Sequence, residues 1–189
     1  MVLTLLSLVH CPGGGVALAA SKATERPPAP IVAARPAAET GPLPAPVAEM
    51  REAILGAVRS GHIEDLRIAI DWNELPPAFA EGEVDDPIAL LRQSSADGQG
   101  REVLAILADI LSLPHATLPI GRDVENADVY IWPYLAERPL DALTPAEEVD
   151  LLRLMPADAA AAMRKLKRWT WYRLVIGADG TWHSFMRHD

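Results

Sequence analysis

The stretch Trp169 to Met186, W-T-W-Y-R-L-V-I-G-A-D-G-T-W-H-S-F-M, decides the fold. Two runs rich in aromatic and β-branched residues flank Gly177-Ala178-Asp179-Gly180, and that pattern predicts a β-hairpin. Successive side chains of a strand point to opposite faces, so the turn length sets which residues share a side. A turn of two residues (Asp179, Gly180) or of four (Gly177 to Gly180) puts Trp169, Trp171, Arg173 and Val175 on one face with Trp182, Ser184 and Met186. Tyr172, Leu174, Ile176, His183 and Phe185 then take the other face. A three-residue loop reverses the grouping.

The face with Leu174, Ile176 and Phe185 is expected to be core, because these side chains favour burial against helices, and His183 goes with it. The opposite face mixes indoles with a guanidinium and a hydroxyl, which suits a groove for sugars or peptides or an aromatic partner surface. Tyr130, Trp132 and Tyr134 alternate in the same way and are expected to extend that wall. The candidate binding set is therefore Trp132, Tyr134, Trp169, Trp171, Arg173 and Trp182. Pro133, which has no N–H to donate, predicts an edge position for its strand, Val129 to Pro133.

Working towards the N-terminus, helical patterns dominate. Thr144-Pro145-Ala146-Glu147 has the form of a capping box, followed by Leu151, Leu152, Leu154 and Met155. Pro156 then separates this helix from one over Asp158 to Lys167, whose cations Arg164, Lys165, Lys167 and Arg168 sit where they complement a helix dipole. Val103, Leu104, Leu107, Ile110 and Leu111 form an apolar stripe closed before Pro114. Ser94 to Gly100, S-S-A-D-G-Q-G, reads as the turn and cap that start that helix. Pro87 opens a short helix to about Gln93, and Trp72 to Asp86 is expected to be loop. A lone helical hairpin is expected from Pro46, through Ile54, Leu55 and Val58, past the stop at Gly61, to Ile70. Helices first and strands last give an α+β class with a small antiparallel sheet ending in a C-terminal hairpin.

The chain ahead of this domain has a different character. The apolar run Val2 to Val9 is too short for a transmembrane helix, which needs about 20 residues. It is followed by Ala17-Leu18-Ala19-Ala20, an A-x-A site of the kind a signal peptidase accepts. Residues 1–20 are therefore expected to be a secretory signal and the protein to be periplasmic. The alternative is a lipid anchor on Cys11 in Leu8-Val9-His10-Cys11. Seven of the twenty residues from Pro27 to Pro46 are proline, so residues 21–46 are expected to form a disordered spacer and 47–189 a single domain. Cys11 is the only cysteine, which leaves the domain without a disulfide or a thiol.

Charge and motifs narrow the function. The chain has 17 basic and 26 acidic side chains; Val47 to Met163 holds 8 against 22, and Arg164 to Asp189 holds 6 against 2. An acidic body disfavours nucleic acid as a partner. His62, His115, His183 and His188 form no H-E-x-x-H, and Asp123, Glu125 and Asp128 begin a calcium-type loop that lacks its glycine and its final glutamate, so no metal is expected. No cofactor motif and no G-x-S-x-G elbow is present. Asp128, Glu137 and Asp179 remain as carboxylates for an acid-base site drawn from distant loops.

V-Y-I-W-P-Y-L-A-E (129–137), L-T-P-A-E-E-V-D-L (143–151) and I-G-A-D-G-T-W-H-S-F-M (176–186) together resemble a group of small exported proteins of Gram-negative bacteria. The resemblance implies a periplasmic location and brings no activity, cofactor or site residue. The function expected is a non-enzymatic binding module for a cell-envelope glycan, peptide or protein partner, acting through the aromatic sheet face. The alternative is a small carboxylate-dependent hydrolase of cell-wall or peptide substrates.

Overall fold

The two aromatic runs do form the hairpin: β3 (Tyr172–Gly177) pairs antiparallel with β4 (Trp182–Arg187). The computed structural model describes residues 41–119 and 128–188. The expected signal sequence, Cys11, the expected spacer up to residue 40, and Asp123 and Glu125 lie outside the described residues.

Beyond β3 the sheet continues through β2 (Asp128–Trp132) to β1 (Ala116–Pro119), in the order β1-β2-β3-β4 with every neighbour antiparallel. Helices α1 (Ala45–Ser60), α2 (Leu66–Asp71), α3 (Pro87–Ser94) and α4 (Arg101–Leu111) precede the sheet. Helices α5 (Pro145–Leu154) and α6 (Ala157–Leu166) stand between β2 and β3 in the chain. The class is α+β, with N-terminal helices and a small antiparallel sheet that ends in a C-terminal hairpin.

The main core lies between α1, α4 and one face of the sheet. Val47, Met50, Ile54 and Ala57 recur at helical spacing on α1 and are buried with Val103, Leu104, Leu107, Ile110 and Leu111 of α4. The sheet contributes Trp132, Leu174, Ile176, Trp182 and Phe185. Leu43 packs on this cluster and α1 starts at Ala45, so the last residues of the expected spacer belong to the folded part.

A second cluster joins α5 and α6 to the turn after β2. It contains Leu135, Leu140, Leu151, Met155, Met163, Tyr134 and Trp169. The capping box holds the start of α5: the Thr144 N–H donates to Glu147 Oε2 at 2.7 Å, and Thr144 Oγ1 accepts from the Glu147 N–H at 3.3 Å. The cations ending α6 have local partners, with Arg164 on Glu148 at 2.9 Å and Lys167 on Asp141 at 2.8 Å.

The Ser94–Gly100 stretch is a self-satisfied turn. The Asp97 carboxylate accepts from the Ser95 hydroxyl at 2.5 Å and from the amides of Gln99 and Arg101 at 3.1 and 3.3 Å, while Glu102 takes the Ala96 amide at 2.5 Å. Side-chain carboxylates thus occupy donors that a bound anion would otherwise use.

Four expectations about the sheet are corrected. The hairpin closes with a three-residue loop, the Gly177 N–H donating to the Thr181 carbonyl at 2.9 Å. An extra residue then enters β4, because Ile176 pairs with Trp182 but Val175 pairs with Ser184. This bulge at His183 restores the expected pairing for Arg173 with Met186 and Leu174 with Phe185, yet it leaves Trp182 on the core face. His183 is exposed rather than core. Tyr130 and Trp132 pair with Ile176 and Leu174, so they too belong to the core face and cannot extend a wall on the other side. Finally, β2 is an inner strand. Pro133 sits just past its end, where a missing N–H costs no ladder bond.

Candidate functional site

Four of the six expected binding residues are buried side chains: Trp132, Tyr134, Trp169 and Trp182. Internal partners serve their polar atoms. The Trp182 indole donates to the Ser184 carbonyl at 3.1 Å, the Trp169 indole to the Tyr172 carbonyl at 3.2 Å, and the Tyr134 hydroxyl to Asp150 at 3.0 Å. Burial, reinforced by the Asp150 carboxylate, pushes the Tyr134 phenol far above its ordinary range, so it stays a donor.

Arg173 and Trp171 are half-buried. The Arg173 guanidinium is committed to Glu137 at 2.6 Å, tying β3 to the turn after β2. Trp171 lies beneath the Arg187 guanidinium, 5.4 Å from the ring centre, and edge-on to Tyr172. The six residues do not form one open wall.

The open aromatic is Trp72, which the sequence pattern left in a loop. Its side chain is 58% exposed, as is Ile68, and Leu75 is 79% exposed. Ile68 and Trp72 lie one helical turn apart, on the side of α2 opposite Leu66, Ala69 and Ile70, which are buried.

Asn73 explains why the indole stands where it does. Its amide nitrogen donates to the carbonyls of Ala69 and Ile70 at 3.1 and 3.2 Å, closing the end of α2. Its oxygen accepts the Trp182 N–H at 2.7 Å, so the end of α2 is fastened to β4. Five residues on, Ala78 bonds β4 again: its N–H donates to the His183 carbonyl at 2.9 Å, and its carbonyl accepts the Phe185 N–H at 2.9 Å. The segment between is anchored at both ends, and Leu75 and Pro76 project from it.

A cleft of about 480 Å³ opens between this segment and the hairpin turn, lined by Trp72, Glu74, Leu75, Asp179, Thr181 and His183 among others. A smaller cavity of about 170 Å³ lies on another side of the indole, against Glu49, Met50 and Gly180. The Asp179 carboxylate is oriented by the Thr181 amide and hydroxyl, both at 2.9 Å. Gly180 has φ +90°, and a Cβ there would stand 2.9 Å from the Pro46 carbonyl oxygen, so the turn nests on the start of α1. A flat apolar ring bordered by carboxylates, a hydroxyl and an imidazole can stack on a sugar ring or an apolar side chain while hydrogen-bonding the polar groups around it.

Of the three carboxylates considered for acid-base work, Asp179 lines this cleft, Glu137 is held by Arg173, and Asp128 begins β2. Among the described residues, no group of three or more His, Cys, Asp or Glu side chains is placed to hold a metal ion, and no helix is long and apolar enough to cross a membrane. A feature that would have flagged Trp72 is legible in the chain: Ile68, Trp72 and Leu75 form a second apolar line on a helix whose first line is already spoken for. No family model, no curated protein and no solved structure matches this chain, so the chemistry of the Trp72 cleft carries the functional argument.

Proposed function

We propose that this protein is a non-enzymatic binding module of the periplasm that holds a cell-envelope glycan on the Trp72 cleft. The observation that carries the reading is the contrast among its five tryptophans: three are buried, Trp171 is half-buried, and Trp72 is exposed beside polar groups. An exposed indole gains from covering its face, and Glu74, Asp179, Thr181 and His183 supply the hydrogen bonds that a sugar ring needs around its rim. Export rests on the apolar run and the Ala17-Leu18-Ala19-Ala20 site. The aromatic surface expected on the sheet is thereby relocated to the end of α2.

The test is co-sedimentation of the mature protein with insoluble peptidoglycan. Wild type is expected in the pellet. Trp72→Ala should fold normally and bind at least about tenfold more weakly, the loss typical of a tryptophan at the centre of an interface. Equal retention of Trp72→Ala would refute the reading. Release of soluble fragments from the glycan would favour the carboxylate-dependent hydrolase instead.

A further inference from the structure

Among the described residues the exposed large apolar side chains fall in two groups, and the Trp72 site accounts for one of them: Ile68, Trp72 and Leu75. The other is Val149 and Leu152 of α5 with Leu166 of α6, exposed by 60%, 46% and 60%. It is a separate place and does not depend on the reading of the Trp72 cleft. Helix α6 folds back along α5, since Arg164 near the end of α6 reaches Glu148 near the start of α5 at 2.9 Å. Both helices bury their inner sides in the second core cluster, through Leu151, Ala160 and Met163. Their outer sides carry Val149, Leu152 and Leu166 into solvent.

The charges on that outer side have a direction. Asp158 and Lys165 stand two helical turns apart on α6, on the side opposite the buried Ala160 and Met163, with Ala161 and Ala162 between them, and all four are exposed. Asp158 accepts the Ala159 N–H at 2.9 Å, and neither it nor Lys165 makes an ion pair among the described residues. The neighbouring cations Arg164 and Lys167 are already neutralised by Glu148 and Asp141. An anionic lipid surface would meet Asp158 on this face beside two spent cations, so the pattern does not suit a membrane. An acid at one end and a base at the other suit their own reverse. Laid antiparallel on a second copy about the point between Ala161 and Ala162, α6 puts Asp158 of each chain opposite Lys165 of the other. A parallel arrangement would set like charges together. The same two-fold axis brings α5 beside its copy, where Val149 and Leu152 of the two chains cover one another.

We infer that this protein forms a two-fold dimer through the outer face of α5 and α6, with α6 antiparallel to its copy and two reciprocal Asp158–Lys165 ion pairs fixing the register. Burial of Val149, Leu152 and Leu166 drives the association, and the charges select its orientation. No residue lining the Trp72 cleft takes part.

Sedimentation of the full chain over a concentration series, read as the monomer–dimer dissociation constant, tests this with charge reversals. Wild type should dimerise. Asp158→Lys and Lys165→Glu each place two like-charged pairs in the interface, and each alone should dimerise at least about tenfold more weakly, with the circular dichroism of wild type. An equimolar mixture of the two variants should recover the wild-type affinity, because each supplies the charge that the other lacks. Trp72→Ala should dimerise as wild type does. A wild type that stays monomeric up to millimolar protein, undiminished dimerisation of either single variant, or a mixture no tighter than its components would each overturn the proposal. Co-sedimentation of a monomeric wild type with phosphatidylglycerol vesicles would overturn it in favour of a membrane.

Discussion

Asn73 joins the scaffold to the candidate site, and its three side-chain bonds have different consequences when removed. Asn73→Ala leaves the Trp182 N–H without its acceptor and the end of α2 without its cap. Leaving such groups unpaired costs about 1–3 kcal/mol, to be read from the midpoint of urea unfolding. Trp72→Ala, by contrast, truncates an exposed ring and should change stability by no more than about 0.5 kcal/mol. Trp182→Ala empties a fully buried site in the main core and should cost about 3–5 kcal/mol. Gly180→Ala forces a side chain into left-handed backbone against Pro46, at a cost of about 1–3 kcal/mol. At this scale Leu174 and Ile176 of the hairpin were legible in the sequence because their preference for burial is unconditional. Trp182 was not, because an indole suits a core and a groove equally well and only the local register decides.

Among the elements, α5 offers the sharpest test. Glu147 is buried with Arg138, the two side chains 2.5 Å apart, while its other oxygen takes the Thr144 amide. Burial by itself would raise the carboxyl pKa. The bonds from Thr144 and the Arg138 guanidinium outweigh it and hold the group below its ordinary value of 4.5. A carboxylate depressed in the folded state stabilises fully above its unfolded pKa, and that contribution is lost as pH falls from 4.5 through the folded value. Unfolding midpoints followed from pH 7 to 3 should therefore decline below about pH 4.5, with a shallower decline in Glu147→Gln. The same variant should lose about 3 kcal/mol at pH 7 by leaving Arg138 without its buried counter-charge. The capping box itself was readable from Thr144-Pro145-Ala146-Glu147, since a cap depends on neighbours in sequence. Strand β1 was not readable: Ala116 to Pro119 is four residues long and forms only because β2 supplies its partner. The bulge at His183 was hidden for the same reason. Trp182 and Phe185 are three residues apart, and only an inserted residue can bring both to one face.

For the molecule as a whole, the sequence pattern conveyed the class and the placement of most helices, because amphipathic periodicity survives without knowledge of the partner. The candidate site escaped it because the Trp72 cleft brings together α2, the turn at residues 179–181 and β4, more than one hundred residues apart, as the Asn73–Trp182 bond shows. The charge is divided in the same large-scale way, with an acidic body and a basic C-terminal stretch. The surface differs accordingly: Glu74 and Asp179 border the Trp72 cleft, while Arg168 and Arg187 border a cleft between α3 and the end of the hairpin. The most direct measurement of the central claim is titration calorimetry of soluble peptidoglycan fragments into wild type, Trp72→Ala and Trp171→Ala at equal concentration. Wild type and Trp171→Ala should give saturable heats and Trp72→Ala an affinity at least about tenfold weaker, with melting temperature unchanged. Undiminished binding by Trp72→Ala, or no heat from wild type, would contradict it.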